Sequence, residues 1–229
     1  MICLGIDSSS VAGSAAVIRD GVLVSEIFGN IGLTHSETLA PSVDRALQTA
    51  GIGISDVDLI AVTCGPGSFT GIRIGVALAK GLAFPGNTPA VGVLSTDALA
   101  YPFAGFDGIV IAALDARRNR VFYNAYNRGS AIQAVGITEI DALAAVIGEQ
   151  RCLLVGDGAE LCYNHLKDTC SVQTEPVSLT NIRASFVAEL GLARFRELGA
   201  GSAADLRPVY IQMSQAERTL KEKLQHPEK

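Results

Sequence analysis

The chain has 229 residues, a formal net charge of −5, 48% hydrophobic residues, 24 glycines and no tryptophan. This length suffices for one large domain or two small ones, and the composition is typical of an α/β protein with buried strands. The acidic balance argues against a broad nucleic-acid-binding surface or an anionic membrane surface.

The cysteines and the first residues bear on the compartment. Five cysteines are scattered without a CxxC pair, and Cys3, Cys64 and Cys152 lie in apolar stretches, which predicts buried free thiols. The first residues lack the charged leader of a secretory signal. No apolar run approaches the roughly 20 residues of a membrane helix. We therefore expect a cytoplasmic protein.

The first hundred residues predict three consecutive strands followed by alternating helices and strands. Asp20-Gly21 is a hairpin signal, Ser36 is the expected N-cap of the first helix, Gly51 ends that helix, and Pro41 predicts a kink or a restart within it. The predicted strands are Ile2–Ile6, Gly13–Ile18, Val22–Phe28, Asp58–Cys64 and Ala90–Leu94. The predicted helices are Ser36–Ala50, Phe69–Phe84 and a short one capped by Ser95-Thr96-Asp97.

The pattern restarts near residue 103 and resembles a shortened copy of the first part. The predicted strands are Gly108–Leu114, Val121–Tyr126, Ala131–Ile137, Cys152–Val155 and Cys170–Gln173. The predicted helices are Glu139–Ile147, Ala159–Lys167 and Ile182–Leu198. An extended piece, Pro208–Ile211, and a charged tail, Glu217–Lys229, follow.

This order of elements indicates the α/β actin-like/Hsp70/sugar-kinase (ASKHA) fold, with two RNase H-like lobes of which the second is shortened. A flavodoxin-like or Rossmann sheet would alternate strand and helix from its first strand. We predict an N-terminal lobe over residues 1–102 and a smaller C-terminal lobe over 103–205. Residues 206–229 are expected to return to the first lobe and end in the charged tail.

Asp7, at the end of the first strand, is the candidate for nucleotide binding. An aspartate at this place in actin-like ATPases helps to hold metal-bound phosphate. However, no cation occurs between Asp7 and Ile18, and the turn is rich in serine. A solvated turn or a vestigial site is the favoured interpretation.

His35 and Glu37 stand at the start of the first helix. Their spacing of two does not place them on one helix face, and His35 has no metal-ligating partner three or four residues away. A capping or interface histidine is therefore favoured over a metal ligand.

The glycine-rich run Gly65–Gly75 predicts a tight strand-to-helix turn. It lacks the lysine of a phosphate-binding loop. Beyond the turn, Gly71, Gly75 and Ala79 recur every four residues and form a smooth ridge. We interpret this ridge as a surface for close approach of another helix, either the first helix of this chain, a partner's helix, or both. Phe69, Ile72, Val76 and Ala83 form the adjacent apolar stripe.

Two further segments carry weaker signals. The arginines Arg117, Arg118 and Arg120 could meet a phosphate or a carboxylate, or could form an exposed hairpin tip. Gly156-Asp157-Gly158 predicts a turn between a strand and a helix. No Ser/His/Asp signature or metal-spaced cluster is visible in the sequence.

Together these segments resemble the TsaB (YeaZ) family of small actin-like proteins in bacterial tRNA threonylcarbamoyladenosine synthesis. The matching pieces span nearly the whole chain, and the run Gly65–Gly75 is the most specific. Gln212 departs from the family, which usually carries an arginine there. The other matching pieces are Asp7-Ser8-Ser9, His35-Ser36-Glu37, Asp115-Ala116-Arg117-Arg118, Gly156-Asp157-Gly158, Pro208-Val209-Tyr210-Ile211 and Gln215-Ala216-Glu217.

The resemblance implies a non-catalytic subunit that binds the catalytic paralogue TsaD, which modifies the adenosine beside the anticodon, with the ATPase TsaE joining the pair. Contact with TsaD would run through the first two helices, and tRNA would be bound only through the complex. No cofactor is expected except ATP or ADP at the level of the complex, and a homodimer of the isolated chain is left open. The expected interface residues are His35, Glu37, Leu39, Val43, Phe69, Gly71, Ile72, Gly75, Val76 and Ala79.

The resemblance also bears on catalysis. The paralogue carries a metal-binding His-x-x-x-His where this chain has Ser95 and Leu99. That difference favours a scaffold. The alternatives are an ATP-dependent phosphotransferase of the same fold and a metallopeptidase, an activity once suggested for relatives of this family.

Overall fold

The structure is a computed structural model that describes residues 1–199 and 201–211. It contains two mixed sheets with helices against them. The charged tail, Gln212 and the Gln215-Ala216-Glu217 motif lie outside the described residues. No helix in the described part of the chain is both long and apolar enough to cross a membrane.

The first sheet has the strand order β3-β2-β1-β4-β5, with β1, β4 and β5 parallel and β2 and β3 antiparallel to their neighbours. This is the order expected for an actin-like lobe. The strands are β1 (Ile2–Asp7), β2 (Gly13–Arg19), β3 (Val22–Gly29), β4 (Leu59–Gly65) and β5 (Ala90–Leu94). The helices of this part are α1 (His35–Ala50), α2 (Phe69–Ala83) and α3 (Ser95–Ala100).

The second sheet repeats this pattern with shorter elements. Its order is β11-β10-β6-β7-β8, and β9 also pairs with β7. The strands are β6 (Ile109–Asp115), β7 (Arg120–Asn127), β8 (Ser130–Ala131), β9 (Gly136–Glu139), β10 (Cys152–Val155) and β11 (Val172–Thr174). The helices are α4 (Leu143–Ile147), α5 (Ala159–Leu166) and α6 (Ala184–Leu198).

Helix α6 belongs to the second half of the chain but packs on the first sheet, against β1, β2 and β4. A half-buried ion pair fixes its first turn. The Glu26 carboxylate on β3 accepts hydrogen bonds from Arg183 (2.7 Å) and from the backbone N–H of Ser185 (3.0 Å). Between the sheets, α6 and α3 share one apolar cluster with residues of both lobes. The division of the chain at residue 102 stays a prediction.

Several local expectations were wrong. Thr34, not Ser36, is the N-cap of α1, because the Glu37 carboxylate accepts hydrogen bonds from the backbone N–H and the hydroxyl of Thr34. Pro41 lies inside an uninterrupted helix, so the helix does not restart there, while the kink stays a prediction. Gly51 does end α1, in the left-handed conformation at φ 67°.

Two boundaries also differ from expectation. The single strand expected over Ala131–Ile137 is two short strands, because β8 and β9 pair with opposite ends of β7. The short helix α3 begins directly after β5, and no side chain among Ser95, Thr96 and Asp97 caps it. The predicted free thiols are confirmed, and Cys3, Cys64, Cys152 and Cys162 are buried.

Candidate functional site

Asp7 ends β1 in a turn that encloses its side chain completely. One carboxylate oxygen, Oδ1, accepts hydrogen bonds from Ser9 N (3.1 Å), Ser9 Oγ (2.7 Å) and Thr63 Oγ1 (2.7 Å). The other oxygen, Oδ2, is buried without a partner among the described residues. Burial raises the pKa of Asp7, against the hydrogen bonds from Thr63 and Ser9, which lower it. Asp7 therefore organises its own turn.

The glycine-rich turn after β4 packs directly on this Asp7–Ser10 turn. The backbone N–H of Ser68 donates to the Ser9 carbonyl over 2.7 Å, and a Cβ on Gly67 would overlap the same oxygen. Gly67 also has φ 149°, a conformation that side chains disfavour. The two turns thus pack so closely that no side chain fits between them, which explains why residue 67 is a glycine.

The small-residue ridge of α2 packs on this same turn and, at Gly71, on the start of α1, which was one of the neighbours expected for it. A Cβ on Gly71 would overlap the Ser8 carbonyl oxygen, and one on Gly75 would lie 2.5 Å from Ser8 Oγ. Ser8 Oγ also donates to the Gly71 carbonyl over 2.9 Å. The ridge is thus a close-packing surface, as expected, and it packs at Gly71 and Gly75 on the backbone that follows β1 as well as on His35 of α1.

A cleft of about 530 Å³ opens between the two lobes beside this turn. Its walls include Ser9, Ser10, Gly67, Asp115, Arg117 and Asp157. The Asp157 carboxylate accepts a hydrogen bond from the backbone N–H of Asp115 over 3.0 Å. Burial raises the pKa of Asp157, and the neighbouring charges of Asp115 and Asp7 act in the same direction. The charged side chains on the cleft wall are the carboxylates of Asp115 and Asp157 and the guanidinium of Arg117.

The arginine cluster and the Gly156-Asp157-Gly158 segment both form turns at this cleft. Arg117 and Arg118 are exposed at the tip between β6 and β7, which agrees with the expected alternative of an exposed hairpin tip. The Arg117 guanidinium pairs with Asp115 over 3.2 Å. The Gly156-Asp157-Gly158 segment connects β10 to α5, as predicted. Within it, the backbone N–H of Gly158 donates a hydrogen bond to the Ala113 carbonyl over 3.0 Å.

The cleft does not fit a metal-bound polyphosphate, the ligand that an actin-like fold implies. Asp7 is inaccessible, and the guanidinium of Arg117 is already neutralised by a carboxylate. The described residues contain no group of three or more His, Cys, Asp or Glu side chains placed to hold a metal ion.

Most of the predicted interface residues are used inside this chain. His35 is half-buried, and its Nε2 donates to the Ser10 carbonyl over 2.7 Å. Phe69 is half-buried, and Glu37 is exposed and bound to Thr34. The other seven are buried and so are inaccessible to a partner in this conformation: Leu39, Val43, Gly71, Ile72, Gly75, Val76 and Ala79.

The accessible side of α2 carries a different set of residues, which the sequence analysis missed. This α2 outer face consists of Thr70, Ile74, Ala77, Leu78 and Gly81, of which Ile74 and Leu78 are half-buried and the others exposed. None of the five carries a charge, and Phe84 beyond them is 85% exposed. The signal was present in the sequence, because these residues share the helical period of the buried stripe in the opposite phase.

Ser95 begins α3, Leu99 lies near its end, and both are buried. Leu99 belongs to the apolar cluster between the lobes. A Cβ on Gly156 would lie 2.9 Å from Leu99 Cδ1. Apolar packing therefore fills the space around Leu99.

Comparisons with known proteins agree with this architecture. The family model described as TsaD, tRNA N6-adenosine threonylcarbamoyltransferase, matches residues 31–206. The tRNA threonylcarbamoyladenosine biosynthesis protein TsaB of Bacillus subtilis is 30% identical, over 95% of this chain and 96% of that protein. The corresponding Haemophilus influenzae protein is 28% identical, over 91% of this chain and 92% of that protein.

Solved structures agree as well. YeaZ from Pseudomonas aeruginosa superimposes with a TM-score of 0.74 at 25% identity, covering 91% of this chain and 99% of that one. Component A of the Acidaminococcus fermentans (R)-2-hydroxyglutaryl-CoA dehydratase has a TM-score of 0.51 at 12% identity, covering 90% and 100%. That likeness concerns the fold alone. The fold is the actin-like α/β fold, and the chain belongs to the tRNA N6-adenosine threonylcarbamoyltransferase family and, within it, to the TsaB (YeaZ) proteins.

Proposed function

We propose that this chain is a non-catalytic subunit in the formation of tRNA N6-threonylcarbamoyladenosine, and that it binds and activates the catalytic paralogue TsaD. The curated relatives are named for this biosynthesis. The observation that carries the proposal is the α2 outer face, because its five residues are uncharged on a chain with a net charge of −5 and have the exposed Arg73 beside them.

The composition of the outer face suits a helix of another protein. Thr70, Ala77 and Gly81 are small, so that a second helix axis can approach closely, and Ile74 and Leu78 offer apolar area at its side. An uncharged patch of this kind on a soluble protein is typical of an interaction site.

The non-catalytic role is supported by the absence of a reaction centre from residues 1–199 and 201–211. No group of metal-ligating side chains is formed there. Ser95 and Leu99, at the positions where the paralogue carries imidazoles, are buried among packed atoms. Among the described residues, the interlobe cleft carries the carboxylates of Asp115 and Asp157 and only one cation, Arg117, which does not favour a polyphosphate. We expect the isolated chain to bind neither ATP nor a metal ion with micromolar affinity, which calorimetry and metal analysis measure.

The remaining partners follow from the same role. A TsaE-like ATPase would join the pair of this chain and TsaD, and tRNA would be contacted through the complex. A homodimer of the isolated chain would use the same outer face, so the paralogue would compete with it.

The experiment is co-purification of this chain with TsaD from the same organism. Ala77→Arg places a long charged side chain at the centre of the outer face without touching the core, and we expect it to abolish the complex. Ala193→Arg is the matched control, because Ala193 is an exposed alanine of α6. A thermal melt of each variant verifies folding. Unchanged co-purification of Ala77→Arg would refute the interface, and loss with both variants would show that the effect is not local.

A further inference from the structure

Arg73 is held between two aromatic rings at the edge of the α2 outer face. Its guanidinium carbon lies 3.7 Å from the centroid of the Phe69 ring and 5.5 Å from that of Tyr210. The two rings are 5.1 Å apart. Arg73 Nε donates a hydrogen bond to the Tyr210 hydroxyl over 2.7 Å. These contacts fix the plane and the direction of the guanidinium.

The cluster joins two distant parts of the chain. Phe69 and Arg73 are one turn apart on α2, whereas Tyr210 lies 137 residues beyond Arg73. Tyr210 is positioned by the preceding residue, since Val209 N donates to the Cys64 carbonyl over 2.7 Å at the end of β4. The C-terminal segment is thus tied to the glycine-rich turn, and Tyr210 is presented to α2 from a fixed backbone.

The terminal nitrogens of Arg73 have no partner in the described part of the chain. Within residues 1–199 and 201–211 they donate no hydrogen bond, and no carboxylate lies within ion-pair distance of them. Arg73 and Tyr210 are exposed, Tyr210 to 45%. A guanidinium with a stacked face and a fixed Nε presents its other N–H groups as a planar fork that matches a carboxylate. Because its rotamer is already fixed, binding loses little side-chain entropy.

The position of this fork selects a partner. Arg73 follows Thr70 by three residues and precedes Ala77 by four, so it borders the α2 outer face directly. Lys80, on the same side of the helix, donates to the Ala204 carbonyl over 3.2 Å. Clusters of tyrosine, arginine and an aromatic ring are also typical of the residues that dominate interface energies.

We propose that Phe69, Arg73 and Tyr210 form a preorganised carboxylate receptor, and that it pairs with an acidic side chain on the surface of TsaD that covers the α2 outer face. This inference rests on the proposed function. It assigns to the C-terminal segment a place in the interface, and it makes the partner's acidic residue a determinant of specificity.

The experiment measures the affinity of the full-length chain for TsaD by biolayer interferometry. We expect Arg73→Ala to weaken binding by at least about tenfold. Arg73→Lys should weaken it nearly as much, because lysine keeps the charge but loses the fork and the stacking. Tyr210→Phe retains the ring and loses only the hydrogen bond to Nε, so a smaller loss of about two- to fivefold is expected.

Arg194→Ala is the matched control, because Arg194 is an exposed arginine on α6 that donates to the Gly92 carbonyl over 3.0 Å. It should bind like the parent. Thermal melts identify any variant that is destabilised. Affinity of the parent chain should also fall between 50 and 500 mM NaCl, and this salt dependence should be weaker for Arg73→Ala.

The outcomes separate the receptor from the proposed function. Parent-like affinity of Arg73→Ala or Arg73→Lys, with Ala77→Arg still defective, would overturn the receptor and leave the proposed function standing. Failure of the parent chain to bind TsaD would overturn both. If Arg73→Ala binds TsaD normally but weakens binding of a tRNA transcript to the assembled complex, the receptor takes a phosphate and the present assignment is wrong.

Discussion

The glycines of α2 predict opposite effects of one substitution at two positions of one helix. Gly71 and Gly81 both lie within Phe69–Ala83, and neither has a positive φ. An alanine Cβ at Gly71 would overlap the Ser8 carbonyl oxygen and stand 3.1 Å from His35 Cδ2. At Gly81 a Cβ would have nothing within 4 Å. The two sites therefore differ in packing while sharing their backbone conformation.

The expected magnitudes follow from two terms. Alanine is more favourable than glycine inside a helix by about 1 kcal/mol. Only this term acts at Gly81, so Gly81→Ala should stabilise the protein by about that amount. At Gly71 the added carbon meets a backbone carbonyl that cannot rotate away, and overpacking costs about 1–3 kcal/mol or more. We expect Gly71→Ala to be destabilising by about 2 kcal/mol after the helix gain is included.

Urea denaturation followed by circular dichroism measures both variants, and thermal melts provide a second scale. For a chain of this size 1 kcal/mol corresponds to about 2–4 °C in Tm. Gly81→Ala should thus melt a few degrees above the parent and Gly71→Ala clearly below it. Gly75→Ala should lie between them, because Ser8 Oγ at 2.5 Å is a side-chain atom that can rotate. Equal stability of Gly71→Ala and Gly81→Ala would refute the assignment of the ridge to the Asp7–Ser10 turn.

Three further predictions concern charges and thiols. Arg183→Ala should lower the free energy of unfolding, measured by urea denaturation, by about 2 kcal/mol. This is less than the 3–5 kcal/mol lost when a fully buried pair is broken, because the Arg183 side chain is 32% exposed while that of Glu26 is 9% exposed. Additivity with Glu26→Gln in a double-mutant cycle would contradict the pairing. Burial raises the folded-state pKa of Asp157, so its contribution to stability is complete below the ordinary pKa of about 4 and is lost as the pH rises through the raised value. Asp157→Asn should therefore be more stable than the parent at pH 7.5 with little difference at pH 4, and the reverse pattern in urea melts would refute this sign. Iodoacetamide should label the half-buried Cys170 first in the native protein, and mass spectrometry of peptides measures the labelling. The other four thiols are buried, and burial raises the pKa to about 12 for Cys3, Cys152 and Cys162 and to about 11 for Cys64. Equal labelling of all five would contradict the burial.

The periodic features of the sequence were sufficient to predict the order of elements and the actin-like topology. Alternating apolar runs placed β1, β2 and β4 within one or two residues. The left-handed cap at Gly51 was predicted because only local backbone geometry determines it. The short helix α3 was placed correctly, but its cap was not, because it starts immediately after a strand.

The contacts that define the site depend on distant residues and were not predictable in the same way. Spacing showed that Gly71 and Gly75 form a smooth surface, but not that Ser8, 63 residues before Gly71, lies against it. Likewise the period of the buried stripe could not tell burial against the chain's own sheet from burial against a partner, because both have the same period. The stacking of Tyr210 on Phe69 left no periodic signal at all.

The packing of α6 on the first sheet has a consequence for the order in which the protein can fold during synthesis. Strands β1, β4 and β5 are complete by Leu94, yet the helix that covers one face of them ends only at Leu198. At a synthesis rate of 5–20 residues per second, the ribosome needs roughly 5–20 s to make the intervening segment. During that interval Cys3, Leu59 and Ala61 lack their covering helix. Nascent first lobes are therefore exposed to aggregation and to chaperones, and a chain truncated before Ala184 should not fold as an isolated lobe.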